Sequence, residues 1–305
     1  MVSSIDWYYA SIIAGFIFAV VSILEKRLIG LLQTLTVFLA VFAAVAVGRS
    51  AFLFAVASYS GISLNPEGIA WALVAGVSMS LAIILYLYAL SLEDVSRVVP
   101  LFSTTPVFTF VIASLVFGER ATVTQIFGLL VATVGVVVIS LKPEARKIGF
   151  ISMKALVAVM ATAFVIAWLF VAMDRASQHI DPVSIEAVKS LCSGVLVGLL
   201  TWRANSFRLA RTALANRETL VLVVAIYGAG AGIVMVLIAY AVSIGPVGPV
   251  STGTTALGPV VVLMTATILG KWGRGYIIEN TDRRTLMLKV VGTGWVILGL
   301  IALRT

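Results

Sequence analysis

Residues 75–91 read AGVSMSLAIILYLYALS, and residues 227–243 read YGAGAGIVMVLIAYAVS. Laid end to end, Gly76 falls on Gly228, Leu85 on Leu237, Tyr88 on Tyr240, Ala89 on Ala241 and Ser91 on Ser243. The same offset lays Gly118-Glu119 on Gly270-Lys271. It also puts a polar stretch ending in proline after each copy, STTP at 103–106 and STGTTALGP at 251–259. FIFAVVSILEKR at 16–27 resembles FVIAWLFVAMDR at 164–175. Apolar composition inflates any single match, but several in one order mark an internal repeat.

The repeat sits in a chain with the composition of a membrane protein. Of its 305 residues 61% are hydrophobic and 11% charged, with a mean hydropathy of +1.13, whereas a soluble domain carries about a quarter charged residues. Crossing the hydrocarbon core takes roughly 20 apolar residues. Ten runs qualify, near 7–25, 33–59, 69–92, 95–117, 121–141, 153–173, 183–202, 219–243, 248–270 and 286–303. Turn or charge signals separate them, among them EKR (25–27), NPEG (65–68), LED (92–94), GER (118–120), DRASQHIDP (174–182) and IGPVGP (244–249). Five runs per half is an odd number, so the second half must enter the membrane with the opposite orientation. The predicted fold is all-α, a polytopic membrane protein of ten transmembrane helices built as an inverted repeat of two five-helix halves. Residues 1–142 form the first half, 143–152 a basic linker and 153–305 the second half. The opening MVSSID carries no Lys or Arg, so the first run reads as a span and not as a signal peptide.

Most of the 21 Lys and Arg residues lie in one set of alternate loops. Arg120, Arg175 and Arg304 lie in the other set, and Arg49 and Lys189 fall inside runs. The positive-inside rule makes the richer side cytoplasmic and places both termini outside. That pattern also absorbs the +8 net charge, because the basic residues form no soluble domain, and no nucleic acid is expected as a partner. One cysteine, Cys192, and one histidine, His179, exclude a disulfide framework, a Cys/His metal site and a nucleophile–base pair. No catalytic residue, cofactor or metal is therefore expected, and the chain does not read as an enzyme.

The paired YALS and YAVS stretches, the prolines of the fourth and ninth runs, the Gly-Glu closing the fourth and the basic residue in the second resemble the EamA-like family of the drug/metabolite transporter superfamily. The resemblance covers nearly the whole chain. It implies ten helices around a central cavity lined mainly by helices 1, 3, 4, 6, 8 and 9, and transport by alternating access. Two features depart from the family pattern. Gly270-Lys271 replaces the second Gly-Glu, and the family's usual cytoplasmic termini oppose the orientation read from charge, which is kept here. The small multidrug resistance proteins, distant relatives, exchange protons at a buried glutamate in helix 1. With Glu25 at the end of the first run, that mechanism is not expected.

Arg49 lies mid-run, in AVAVGRSAFLFAVAS at 44–58, and Lys189 holds the matching place in the seventh run, where AVKSLC (187–192) parallels VGRSAF (47–52). A charge at the bilayer centre costs about 2.5–3.5 kcal/mol on insertion scales, so it usually faces a cavity or a partner. Two cations converging in the outer half of the membrane suit a carboxylate or phosphate. The alternatives are that Arg49 snorkels to the interface and that Lys189 is neutralised by Glu186 on the same helical face. Glu186 is also the candidate for carrying a coupling proton.

A second binding surface is expected at the prolines. Pro106 and Pro259 each free a carbonyl one turn back, at Phe102 and Thr255, beside the hydroxyls of Ser103, Thr104, Thr105, Ser251, Thr252, Thr254 and Thr255. Either this backbone lines water or the hydroxyls alone satisfy the kink. Tyr86, Tyr88, Trp168, Tyr227 and Tyr240 supply an aromatic wall, with Trp168 the strongest cavity candidate, while Trp7, Tyr8 and Tyr9 read as interfacial anchors. GAGAG at 228–232 reads as a tight helix crossing or a gating hinge.

The function expected is secondary active transport, as an exporter of small metabolites such as amino acids or related organic anions, around a midplane cavity in the plasma membrane. Its partners would be a small-molecule substrate and membrane lipid, with the chain acting as a monomer or homodimer. The alternative is a non-transporting scaffold or receptor subunit, which would want a larger loop than the basic one near 203–218.

Overall fold

The computed structural model describes residues 6–32, 34–60, 65–92, 101–118, 122–140, 152–202, 204–257, 261 and 283–303. Among these residues the chain is helical, with no strand. The helices are α1 Trp7–Leu32, α2 Leu35–Ser60, α3 Pro66–Leu92, α4 Thr105–Phe117, α5 Val123–Ser140, α6 Met153–Ser177, α7 Pro182–Leu200, α8 Ala204–Leu214, α9 Arg217–Ile244, α10 over 247–257 and α11 Arg283–Ala302. Stretches of α2, α3, α6, α7 and α9 are long and apolar enough to cross a membrane, while α1, α4, α5 and α11 hold shorter apolar segments.

Local chemistry sets several boundaries. The Asn65 carboxamide accepts the Glu67 N–H at 2.9 Å, and Pro66 opens α3 where a missing N–H costs nothing. Asp181 does the same for α7, accepting the Val183 and Ser184 amides, each at 3.0 Å, with Pro182 following. Two sequence boundaries need correction. EKR at 25–27 does not end a helix, because Glu, Lys and Arg are good helix formers and α1 continues to Leu32. The basic segment near 203–218 holds α8, whose Phe207, Ala210, Ala213 and Leu214 pack inward while Arg208 and Arg211 face out.

The principal helix contacts are α3 with α6, α2 with α7, α5 with α11, α1 with α9 and α4 with α6. The α10 backbone meets α1 at Gly15, where an added Cβ would stand 2.8 Å from the Gly253 carbonyl oxygen. Two cores result. One joins Ala10 and Ala14 of α1, Ala72 and Ala75 of α3, and Ala167, Ala172 and Ala176 of α6 with residues of α4, α7, α9 and α10. The other gathers Val37 to Ala43 of α2 with Leu28, Leu87, Val197 and Ile226. Small side chains let these helices approach closely where apolar burial supplies no drive against lipid. Leu115, Phe127, Val224 and Leu298 point outward, as a lipid-facing surface requires.

Candidate functional site

Both intramembrane cations converge on one acid. In α7, Glu186, Lys189 and Ser190 lie three and four residues apart and so share a face. The Lys189 ammonium is 2.6 Å from Glu186 Oε2. From α2, Arg49 Nη2 reaches Glu186 Oε1 at 3.0 Å and donates to Ser190 Oγ at 2.8 Å, with Nε adding a contact to the same hydroxyl at 3.2 Å. Ser190 Oγ donates in turn to Glu186 Oε1 at 2.7 Å. The repeat partner of Ser190, Ser50, donates to the Ala187 carbonyl at 2.8 Å and binds the same two helices. Glu186 is fully buried, and the Arg49 and Lys189 side chains are 7% and 1% exposed, so Arg49 does not snorkel.

The last arm of Arg49 depends on a register change in α9. Residues Val224–Gly230 form a π-helical turn, in which the Ala231 N–H bonds the Ile226 carbonyl, five residues back. In an α-helix that amide would take the Tyr227 carbonyl. Arg49 Nη1 occupies this carbonyl instead, at 2.8 Å. The arm needs Gly232, since a Cβ there would stand 3.0 Å from Arg49 Cδ. GAGAG thus begins inside a π turn and also supplies the close crossing.

The Tyr227 ring points the other way. Its hydroxyl donates to Glu25 of α1, and its edge meets Phe38 and Phe42 of α2 with centroids 5.8 Å apart. Because α1 runs to Leu32, Glu25 stands inside the helix and not at its end. Tyr86 of α3 lies within electrostatic reach of Glu25 and tilts against Phe102 at 5.1 Å.

The other expected site residues are placed apart from this cluster. Trp168 of α6 and Tyr240 of α9 are half-buried against the first core, and Tyr88 faces outward, 46% exposed. The carbonyl expected to be free at Phe102 is not: Phe102–Thr104 is a 3₁₀ turn, and the Thr105 N–H bonds that oxygen. Thr104 Oγ1 donates to the Leu101 carbonyl at 2.7 Å, and Thr105 is buried. Thr254 and Thr255 bond back to the Val250 and Ser251 carbonyls at 2.9 and 2.8 Å. The Ser103 side chain, Pro259, Glu119 and Gly270-Lys271 lie outside the described residues.

Three contributors escaped the sequence reading. Ser190 was detectable as the fourth residue after Glu186. Glu25 was hidden by reading EKR as a break. The Tyr227 carbonyl has no signature beyond the glycines near it.

No curated protein matches the chain. A solved structure titled only "Crystal structure of protein" superposes with a TM-score of 0.70 at 16% identity, over 96% of this chain and 96% of that one, a likeness of fold alone. Residues 6–141 match the profile of the EamA-like transporter family. With that match and its apolar spanning helices, the chain is a membrane protein that belongs to the EamA-like transporter family, part of the drug/metabolite transporter superfamily.

Proposed function

We propose that the protein is a secondary transporter of small metabolites, exporting amino acids or related organic anions across the plasma membrane by alternating access between two five-helix repeats. The carrying observation is the pattern of helix pairs. Under the repeat, α1 corresponds to α6, α2 to α7, α3 to α9, α4 to α10 and α5 to α11. Exchanging the halves turns the α3–α6 contact into α9–α1, turns α4–α6 into α10–α1, and maps α2–α7 and α5–α11 onto themselves. All of these contacts occur, which supports an inverted repeat. The tight pairs cross between halves, so the moving bodies are better drawn as α1–α9–α10 and α3–α4–α6 than as the two sequence halves.

The buried cluster on the self-paired helices α2 and α7 holds two cations and one anion. Its excess positive charge supports an anionic solute, for which Arg offers a fork and Lys a point charge. Trp168, Tyr86, Tyr240, Thr104, Thr105, Thr254 and Thr255 would line the path. The basic loops would lie in the cytoplasm and the termini outside, with the chain acting as a monomer or homodimer among lipids. Proteoliposome uptake of radiolabelled glutamate against leucine tests the reading. Arg49→Gln and Lys189→Gln should each depress glutamate transport about tenfold or more, as for a lost charge-assisted bond, and spare leucine. Equal effects on both solutes refute the anion assignment.

A further inference from the structure

Glu186 has no vacancy for a proton. Arg49, Lys189 and Ser190 all donate to its oxygens, and protonating it would strand two buried cations. Glu25 is in the opposite condition. Among the described side chains its hydrogen-bond partner is the neutral Tyr227 hydroxyl, and Tyr86 of α3 is the other titratable group facing it. Arg27, two positions on, turns outward to Glu218. A carboxylate in a membrane span without a cation is costly unless it takes a proton. A phenol can donate to the carboxylate and accept from the acid, so this pair keeps a hydrogen bond in both states. Glu25 is only half-buried, which leaves a proton a way in.

Tyr227 joins the two sites. Its hydroxyl holds Glu25, and its carbonyl, released by the π turn, holds Arg49. An ionised Glu25 offsets the unit of positive charge left over at Arg49–Glu186–Lys189. A protonated Glu25 leaves that charge uncompensated.

We propose that Glu25 is the proton-carrying carboxylate of this transporter, and that its protonation frees the positive charge at Arg49–Glu186–Lys189 for an anionic solute. The coupling half of this proposal rests on the anion reading above. Linkage is reciprocal, so proton and anion each favour binding of the other. The two then move together as a neutral unit, and an anion accumulated inside leaves with its proton. The coupling role passes from Glu186 to Glu25.

Infrared difference spectra of the full chain in liposomes, taken between alkaline and acidic buffer, isolate the C=O stretch of a non-hydrated carboxyl as it takes up its proton. The wild type should show this band and Glu25→Gln should lose it. Glu25→Asp should shift its frequency, and Tyr227→Phe should keep it while changing the pH at which it grows in. The same vesicles, loaded with radiolabelled glutamate and given a pH gradient of about one unit, should sustain an about tenfold glutamate gradient, the equivalent of one proton per anion. With Glu25→Gln the gradient should collapse. A band unchanged by Glu25→Gln and Glu25→Asp, or a tenfold gradient that survives Glu25→Gln, overturns the proposal. Wild-type vesicles that move no glutamate overturn the anion reading and the coupling built on it, whereas loss of the band in Glu25→Gln still upholds the protonation site.

Discussion

Glu186 accepts from three donors inside the membrane, and the order in which substitutions do damage follows from counting charge. Glu186→Gln leaves Arg49 and Lys189 facing one another with no anion, and breaking a buried pair costs about 3–5 kcal/mol. Lys189→Gln leaves a balanced Arg49–Glu186 pair and should cost far less. Thermal unfolding of the purified protein in detergent should therefore place Glu186→Gln well below Lys189→Gln, and the reverse order would refute the charge count. Much of this cluster was legible in the sequence. Glu186 and Lys189 are spaced for one helical face, and the repeat pointed from Lys189 to Arg49. The Tyr227 carbonyl was not legible, because the oxygen a helix leaves free depends on its register and not on the residue that bears it.

Among the elements, α9 shows how a local register change becomes a binding feature. Its π turn exposes one carbonyl, and Gly232 keeps the neighbouring surface low enough for the Arg49 side chain to pass. Gly232→Leu should overpack that crossing at a cost of about 1–3 kcal/mol and reproduce the glutamate defect of Arg49→Gln. Measuring both unfolding and uptake in this variant separates it from a purely local strain, which would lower stability and leave solute preference unchanged. The missed length of α1 and the missed helix α8 share one cause. Charged residues mark where a chain leaves lipid, and the sequence reading took that as the place where helix ends. In α8 the inward set of Phe207, Ala210, Ala213 and Leu214 was spaced for a helix all along. Similarly, Pro106 does shift the backbone, but a 3₁₀ turn takes up the carbonyl that a proline kink would leave free.

Across the whole molecule, the class and the helical runs followed from hydropathy alone, since lipid admits few alternatives to a helix. The crossing of α3 onto α6 and α1 onto α9 did not, because apolar helices of similar composition carry little information about their neighbours. If these crossed groups move around a solvent-filled path, Thr104→Cys and Thr255→Cys in a Cys192→Ser background should both react with a small water-soluble maleimide, at rates that change when glutamate is added. A rigid scaffold would leave both thiols unlabelled. The Arg49–Glu186 contact also has a consequence for synthesis. The ribosome completes α2 long before α7 exists, so Arg49 enters the bilayer without its acid, at about 2.5–3.5 kcal/mol. The rest of Leu35–Tyr59, with a mean hydropathy of 2.2, is what carries it in. Until α7 arrives, the nascent protein displays an unpaired guanidinium within the membrane, so docking of the second half is what removes the mark by which cellular quality control could recognise an unfinished chain.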